Sequence, residues 1–183
     1  MFAWAPAAID APAHDHSLLR RALATFPTGV CLVTTVSDAG KREGMTINSF
    51  ASVSMSPPLI LWSIRDEARS ADAFLTCRHF CVSVLSAAQR DLAMHFARPA
   101  PDKFADCEDR FQPGFGGCPV LREAAANFEC STYSRYLEGD HTILLGRVER
   151  FSSQPAASLV FHSGQMGSVW ELAASLPQPS QAI

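Results

Sequence analysis

The stretch VCLVTTVSDAGKREGMTINSFASVSMSPPLILWSI, Val30 to Ile64, decides the fold. Val30 to Ser37 is apolar and β-branched, the composition that suits a strand packed in a pleated sheet. Asp38-Ala39-Gly40 supplies turn residues, so the chain is expected to return through Gly44 to Phe50 as a hairpin partner. Met45, Ile47, Phe50 and Val53 interleave with polar residues, which buries one side of the returning segment. Pro57-Pro58 breaks the run, and Leu59 to Ile64 reads as a further buried strand.

Upstream, Leu18, Leu19, Ala22, Leu23 and Phe26 recur at helical spacing, with His16 or Ser17 placed to cap the helix and Pro27-Thr28-Gly29 to stop it. Downstream, Ala68 to Leu75 reads as a short helix and Phe80 to Leu85 as a strand. Ser86 with Gln89 forms a capping box for a helix that runs to Ala97. Arg98 to Pro119, rich in Pro and Gly, is a long irregular segment. Asn127 to Tyr136 alternates, Gly139-Asp140 turns, His141 to Phe151 returns, and Leu159 to Phe161 adds a last short strand. These strands are joined mostly by turns and not by crossover helices. The pattern predicts a mainly β chain with peripheral helices, an antiparallel sheet closed or half closed on itself, and disfavours a doubly wound parallel sheet.

At 183 residues, 48% apolar and 18% charged, the chain is sized and composed for one folded domain. Fifteen basic and 18 acidic side chains give a net charge of −3, which offers no broad footprint for nucleic acid or an anionic membrane. The apolar runs fall short of the roughly 20 residues a spanning helix needs. The opening MFAWAPAAIDAPAHDHS lacks a basic region and carries Asp10 and Asp15, so a cytoplasmic protein is expected. Six irregularly spaced cysteines then read as reduced thiols. Residues 1–15 are expected to form a disordered N-terminal tail and 173–183 a C-terminal tail, around a domain at 16–172.

Gly44 to Pro58 places Thr46, Asn48, Ser49, Ser52, Ser54 and Ser56 within one strand and its exit. Short hydroxyl and amide groups beside free backbone N–H groups suit a phosphate or a polar heterocycle. An ordinary polar strand face is the alternative. No GxxxxGK[ST] and no GxGxxG after a strand occurs, and Gly114-Phe115-Gly116-Gly117 leads into Cys118-Pro119 instead of a helix. Cys77, His79 and Cys81 alternate, but without a second ligand pair a metal is not expected. No GxSxG elbow is present. His141 emerges beside the Gly139-Asp140 turn, where it can meet a phosphate, an amide or a reduced ring, or simply face water.

Taken together, FPTGVCLVTT at Phe26 to Thr35, GMTINSFASVSMSPPL at Gly44 to Leu59, FCVSVLSAAQRDLAMHFA at Phe80 to Ala97, DKF at Asp102 to Phe104 and EGDHTILLGRV at Glu138 to Val148 resemble the short-chain flavin reductase family, in the family's order. These are the reductase components of two-component flavin-dependent monooxygenases. The resemblance implies an antiparallel Greek-key split β-barrel of the FMN-binding type, usually a homodimer, that binds FMN or FAD and reduces it with NADH or NADPH. It implies that Thr46, Asn48, Ser49, Ser52, Val53 and Ser54 hold the flavin, joined by Ser70, with Phe96, Ala97 and Lys103 near its tail. Gly139, Asp140 and His141 match a GDH motif associated with the nicotinamide nucleotide. Ser83 stands where Asn is common, Ala71 where a second hydroxyl often follows Ser70, and Met166 where the family often carries an aromatic on the nicotinamide side.

In that chemistry hydride passes from nicotinamide C4 to flavin N5, so no acid–base triad is needed, and His141 is expected to seat the dinucleotide without relaying a proton. Two other functions fit the same barrel: a flavin-binding module without turnover, and a flavoenzyme that reduces another acceptor such as a corrinoid.

Overall fold

The computed structural model describes residue 10 and residues 12–175. Of the expected tails, residues 1–9, 11 and 176–183 lie outside the described residues. The chain opens with α1 (His16–Leu23), capped not by His16 or Ser17 but by Asp15, whose carboxylate accepts from Leu18 N at 3.0 Å. A carboxylate is the better cap because it also meets the positive end of the helix dipole. The helix stops short of Phe26 and buries none of its residues, so its apolar spacing does not mark a core face.

β1 (Thr28–Gly29) leads into β2 (Cys31–Val36), and the turn at Gly40, φ +77°, returns the chain as β3 (Arg42–Ile47) in register Cys31↔Ile47. β3 ends earlier than the expected Phe50. Ser52 and Ser54 belong to a separate strand, β4 (Ala51–Met55), which pairs with β5 (Pro58–Arg65) and not with β2. α2 (Ala71–Thr76) starts three residues later than expected. It is followed by β6 (His79–Val84). The Ser86/Gln89 capping box is present, with Ser86 N donating to Gln89 Oε1 at 2.9 Å, but it opens a 3-10 turn before α3 (Arg90–Ala97).

The expected irregular segment carries a small hairpin, β7 (Phe111–Pro113) and β8 (Pro119–Leu121), pinned to the sheet where Phe115 N donates to the Glu129 carboxylate. β9 (Ala126–Glu138) and β10 (His141–Ser153) are longer than expected at 13 residues each. β11 (Val160–His162), β12 (Gln165–Gly167) and β1 make a second sheet, and α4 (Val169–Ser175) follows.

The large sheet has seven strands, all antiparallel, in the order β3-β2-β6-β9-β10-β5-β4. Its two outer strands are therefore consecutive in the chain, joined by only Asn48, Ser49 and Phe50. In a flat sheet those edges would lie about 29 Å apart at ordinary strand spacing. The link from Ile47 to Ala51 can span about 15 Å. The sheet must therefore curl until its edges approach, yet β3 and β4 do not pair with one another. The result is a split barrel. The Ser49 hydroxyl stitches the crossover by donating to Ser63 O at 3.2 Å and accepting from Ser63 N at 3.0 Å.

β2 explains why its sequence is apolar without alternation, because both of its faces are buried. Cys31 and Val33 enter the barrel interior with Trp62, Phe74 and Phe80, while Val30 and Leu32 face a second core under α3 with Phe96, Phe104 and Phe111. Among the described residues, no helix is long and apolar enough to cross a membrane, and no cluster of His, Cys, Asp or Glu could hold a metal.

All six cysteines are free and buried. Burial pushes Cys31 and Cys81 up to about 12 and Cys118 to about 11, from an ordinary thiol value of 9.0. Their folded-state values are raised, so the contribution is fully present below pH 9.0, where unfolded thiols begin to ionise, and is lost as the pH rises toward 11 and 12. Urea midpoints are expected to fall steadily above about pH 9. Native protein at pH 8 is expected to leave all six thiols unreacted with a chromogenic disulfide reagent that titrates all six in guanidinium.

Candidate functional site

β5 is the spine of the site because its two neighbours carry the two informative segments. On one side β4 pairs with it through Ala51↔Leu61 and Ser52↔Ile60; on the other β10 pairs through His141↔Arg65 and Ile143↔Ser63. The serine-rich crossover and the Gly139-Asp140-His141 turn are thus two strand spacings apart, about 10 Å across the sheet. That is the scale of two aromatic rings laid side by side or overlapped.

On the β4 side, Asn48 and Ser52 are exposed and Ser49 is half-buried. A register shift between Ser52 and Ser54 leaves Val53, which is exposed, out of the ladder. β4 is also an outer strand, so its far edge presents backbone N–H groups that no described strand satisfies. Ser54 Oγ accepts from Ser56 N at 3.2 Å. Thr46 sits on the opposite outer strand and donates to Ala93 O at 2.6 Å, tying β3 to α3. Ser70, buried just before α2, donates only to Met45 Sδ at 3.7 Å.

Lys103 ties β3 to α3. Its ammonium donates to Gly44 O at 3.0 Å and to Phe96 O at 2.8 Å, joining β3 to the end of α3, while its own carbonyl meets His95 Nε2 at 2.7 Å. Burial holds the Lys103 ammonium below the ordinary lysine range, and the Glu43 carboxylate pulls it back upward. The Phe96 ring is fully buried, so only its backbone faces the lysine; Ala97 beside it is exposed. Met166 lies on the small sheet opposite Phe161 and packs against the second core, off the large sheet that carries the β3–β4 crossover and His141.

On the β10 side, Gly139 takes φ +64°, the left-handed conformation a tight hairpin turn demands. His141 Nδ1 lies 2.7 Å from Asp140 Oδ1, and Arg65 approaches Asp140 Oδ2 at 3.6 Å. The hydrogen bond from His141 holds the Asp140 carboxyl below the usual carboxylate range, with Arg65 adding to it. Thr142 donates to Asp66 at 2.8 Å, and Asp66 N donates to Asp140 O at 3.2 Å. Arg65, Asp66 and Ser63 had no signal of their own in the sequence, since only strand register places them here.

Comparison with known protein families matches residues 23–169 to the flavin reductase like domain. The chain belongs to the flavin reductase-like domain family. Over 156 residues it is 39% identical to the stachydrine N-demethylase reductase subunit Stc3 of Rhizobium meliloti, covering 85% of this chain and 67% of that one. Over 149 residues it is 40% identical to the reductase component of the flavin-dependent trigonelline monooxygenase of Acinetobacter baylyi, covering 80% of this chain and 46% of that one. The chain thus spans about half the length of the second of these relatives. A solved structure from Streptomyces globisporus, NADH:FAD oxidoreductase SgcE6 in complex with NAD and FAD fragments, superposes with a TM-score of 0.81 at 34% identity, covering 96% of this chain and 100% of that one.

The donor set of this flavin reductase-like domain fits a phosphorylated flavin. Such a ligand needs neutral donors along a flat edge and a positive group near its tail. Asn48, Ser52 and the unpaired edge of β4 offer the former, and Lys103, with two of its three N–H groups engaged, offers the latter.

Proposed function

We propose that this chain is an NAD(P)H-dependent flavin reductase, which uses NADH or NADPH to reduce FMN or FAD and supplies the reduced flavin to a partner flavin-dependent monooxygenase component. The observation that carries the reading is the placement of the donor-rich β3–β4 crossover and the Gly139-Asp140-His141 turn on the two sides of β5.

A bound flavin would supply a two-electron acceptor for hydride from the nicotinamide, so the protein's work is to hold the partners face to face. Asn48, Ser49, Ser52 and Ser54, with the bulge at Val53, orient the ring system, and Thr46, Ser70 and the Phe96-Ala97-Lys103 corner receive the ribityl and phosphate end. Gly139, Asp140 and His141 seat the dinucleotide, and Met166 is assigned to the nicotinamide side by the family resemblance alone. None of these groups needs to move a proton in the hydride step.

A homodimer is part of this reading. The outer face of the sheet presents Leu61, Ile143 and Leu145 half-exposed in adjacent rows, continued by exposed Tyr136 opposite Ile143. An apolar face of this kind beside a free strand edge is what a second copy would cover. The domain is assigned to 16–172, between tails at 1–15 and 173–183. A cytoplasmic setting is supported by six unpaired cysteines.

The test is oxidation of NADH or NADPH by purified protein with FMN, FAD or riboflavin, followed by nicotinamide absorbance. Multiple turnovers with free flavin are expected. A tightly bound flavin that ignores both donors would instead identify a binding module. His141→Ala is expected to raise KM for the nicotinamide donor about tenfold, as loss of a hydrogen bond to a polar ligand group does, while flavin affinity measured by fluorescence quenching stays put. An unchanged donor KM would remove His141 from the site.

A further inference from the structure

We infer that Asp140 is a positioning residue, which acts through His141, and that Arg65 holds it in place; this rests on the reductase reading for its kinetic consequence only. A carboxylate can accept but not donate, so its contact at 2.7 Å with His141 Nδ1 requires the proton to sit on Nδ1. In the neutral ring, Nε2 is then left with its lone pair outward. A lone pair accepts from an N–H donor, and the carboxamide NH2 of a nicotinamide is such a group. The other tautomer would present N–H to that NH2, donor against donor.

Arg65 explains why the carboxylate keeps this orientation although it stands in solvent. It lies opposite His141 in the β5–β10 register and takes the second oxygen, Oδ2, at 3.6 Å, so the two oxygens of Asp140 are divided between a cation and the imidazole. The backbone is tied as well, through Asp66 N donating to Asp140 O at 3.2 Å. The charged groups facing His141 are Asp140 beside it, Arg65 on β5, Glu138 opposite it on β9, and Asp66, whose carboxylate is engaged by Thr142. Of these, only Asp140 reaches Nδ1 at hydrogen-bonding distance.

Nitrogen-15 spectra of histidine-labelled protein without flavin or nucleotide read the tautomer directly. With the ring neutral, wild type is expected to show His141 protonated on Nδ1. Asp140→Ala is expected to shift it toward the Nε2-protonated form, with Asp140→Asn, which keeps a neutral acceptor, between the two. Arg65→Met is expected to shift the ring part of the way toward the Nε2-protonated form, because the carboxylate loses the cation that holds its second oxygen. In turnover, Asp140→Ala should raise KM for NADH about fivefold while kcat stays within about twofold, consistent with loss of one polar contact to the donor. A wild-type His141 protonated on Nε2, or a tautomer indifferent to Asp140→Ala, would overturn the assignment. If the spectra behave as expected but wild-type protein oxidises neither NADH nor NADPH, it is the reductase reading that fails and not the pairing.

Discussion

Phe96→Ala is expected to lower unfolding free energy by about 3–5 kcal/mol, the range for emptying a buried aromatic site. Phe96 has no exposed surface, and its ring meets Phe104 edge-on at 5.1 Å, Phe111 at 5.8 Å and His95 at 5.3 Å. Those three rings come from α3 and from the segment after it, so nothing nearby can collapse into the hole without moving the corner that Lys103 organises. The site was built tight from the other side too. A Cβ placed on Gly44 would lie 2.8 Å from Phe96 Cε1 and 3.2 Å from Phe104 Cζ, so Gly44→Ala alone is expected to cost about 1–3 kcal/mol by overpacking. Combining Gly44→Ala with Phe96→Leu should cost less than the two single changes together, because one makes the room the other needs. Urea unfolding of the four proteins measures this. Additive losses would mean that the glycine and the ring do not share the space.

Lys103→Met is expected to weaken FMN or FAD binding at least tenfold and to lower stability by about 2–4 kcal/mol in the absence of flavin. The stability loss follows from the two carbonyl oxygens, Gly44 O and Phe96 O, that lose a charged donor inside a half-buried corner. The binding loss follows from removing the positive group beside the proposed phosphate end of the ligand. Methionine keeps most of the lysine's packing volume, so the two effects separate by measurement. Urea unfolding without ligand reads the first, and fluorescence quenching of riboflavin against FMN reads the second. Riboflavin, which has no phosphate, should lose little affinity; equal losses for both ligands would assign Lys103 a purely structural role.

How much was legible in advance depends on how far each feature reaches along the chain. The Gly139-Asp140 turn, the hairpin at Gly40 and the Ser86/Gln89 capping box were readable because a turn residue or a cap acts on atoms within a few positions of itself. The buried runs of β2 and β5 were readable because a strand that packs on its neighbours must be apolar. α1 shows the limit of that logic. Leu18, Leu19, Leu23 and Phe26 have helical spacing, yet the helix buries nothing, since periodicity says which residues share a face and not whether anything lies against it. The cap is Asp15, one position before His16 and two before Ser17, a shift that only the cap geometry resolves.

The sequence alone determined the class of fold, the turns and the kind of chemistry, because these follow from residue types and short spacings: an antiparallel barrel, a hydroxyl-rich bend and a histidine at a hairpin mouth. Only the tertiary structure decided that the bend crosses from one outer strand to the other, that Lys103 ties β3 to the end of α3, and that Arg65 stands opposite His141. Those placements depend on which strands pair and in what register, and pairing energies are summed over partners far apart in the chain. A shift of one residue in β5 would turn Arg65 to the other face without changing a letter of the local pattern.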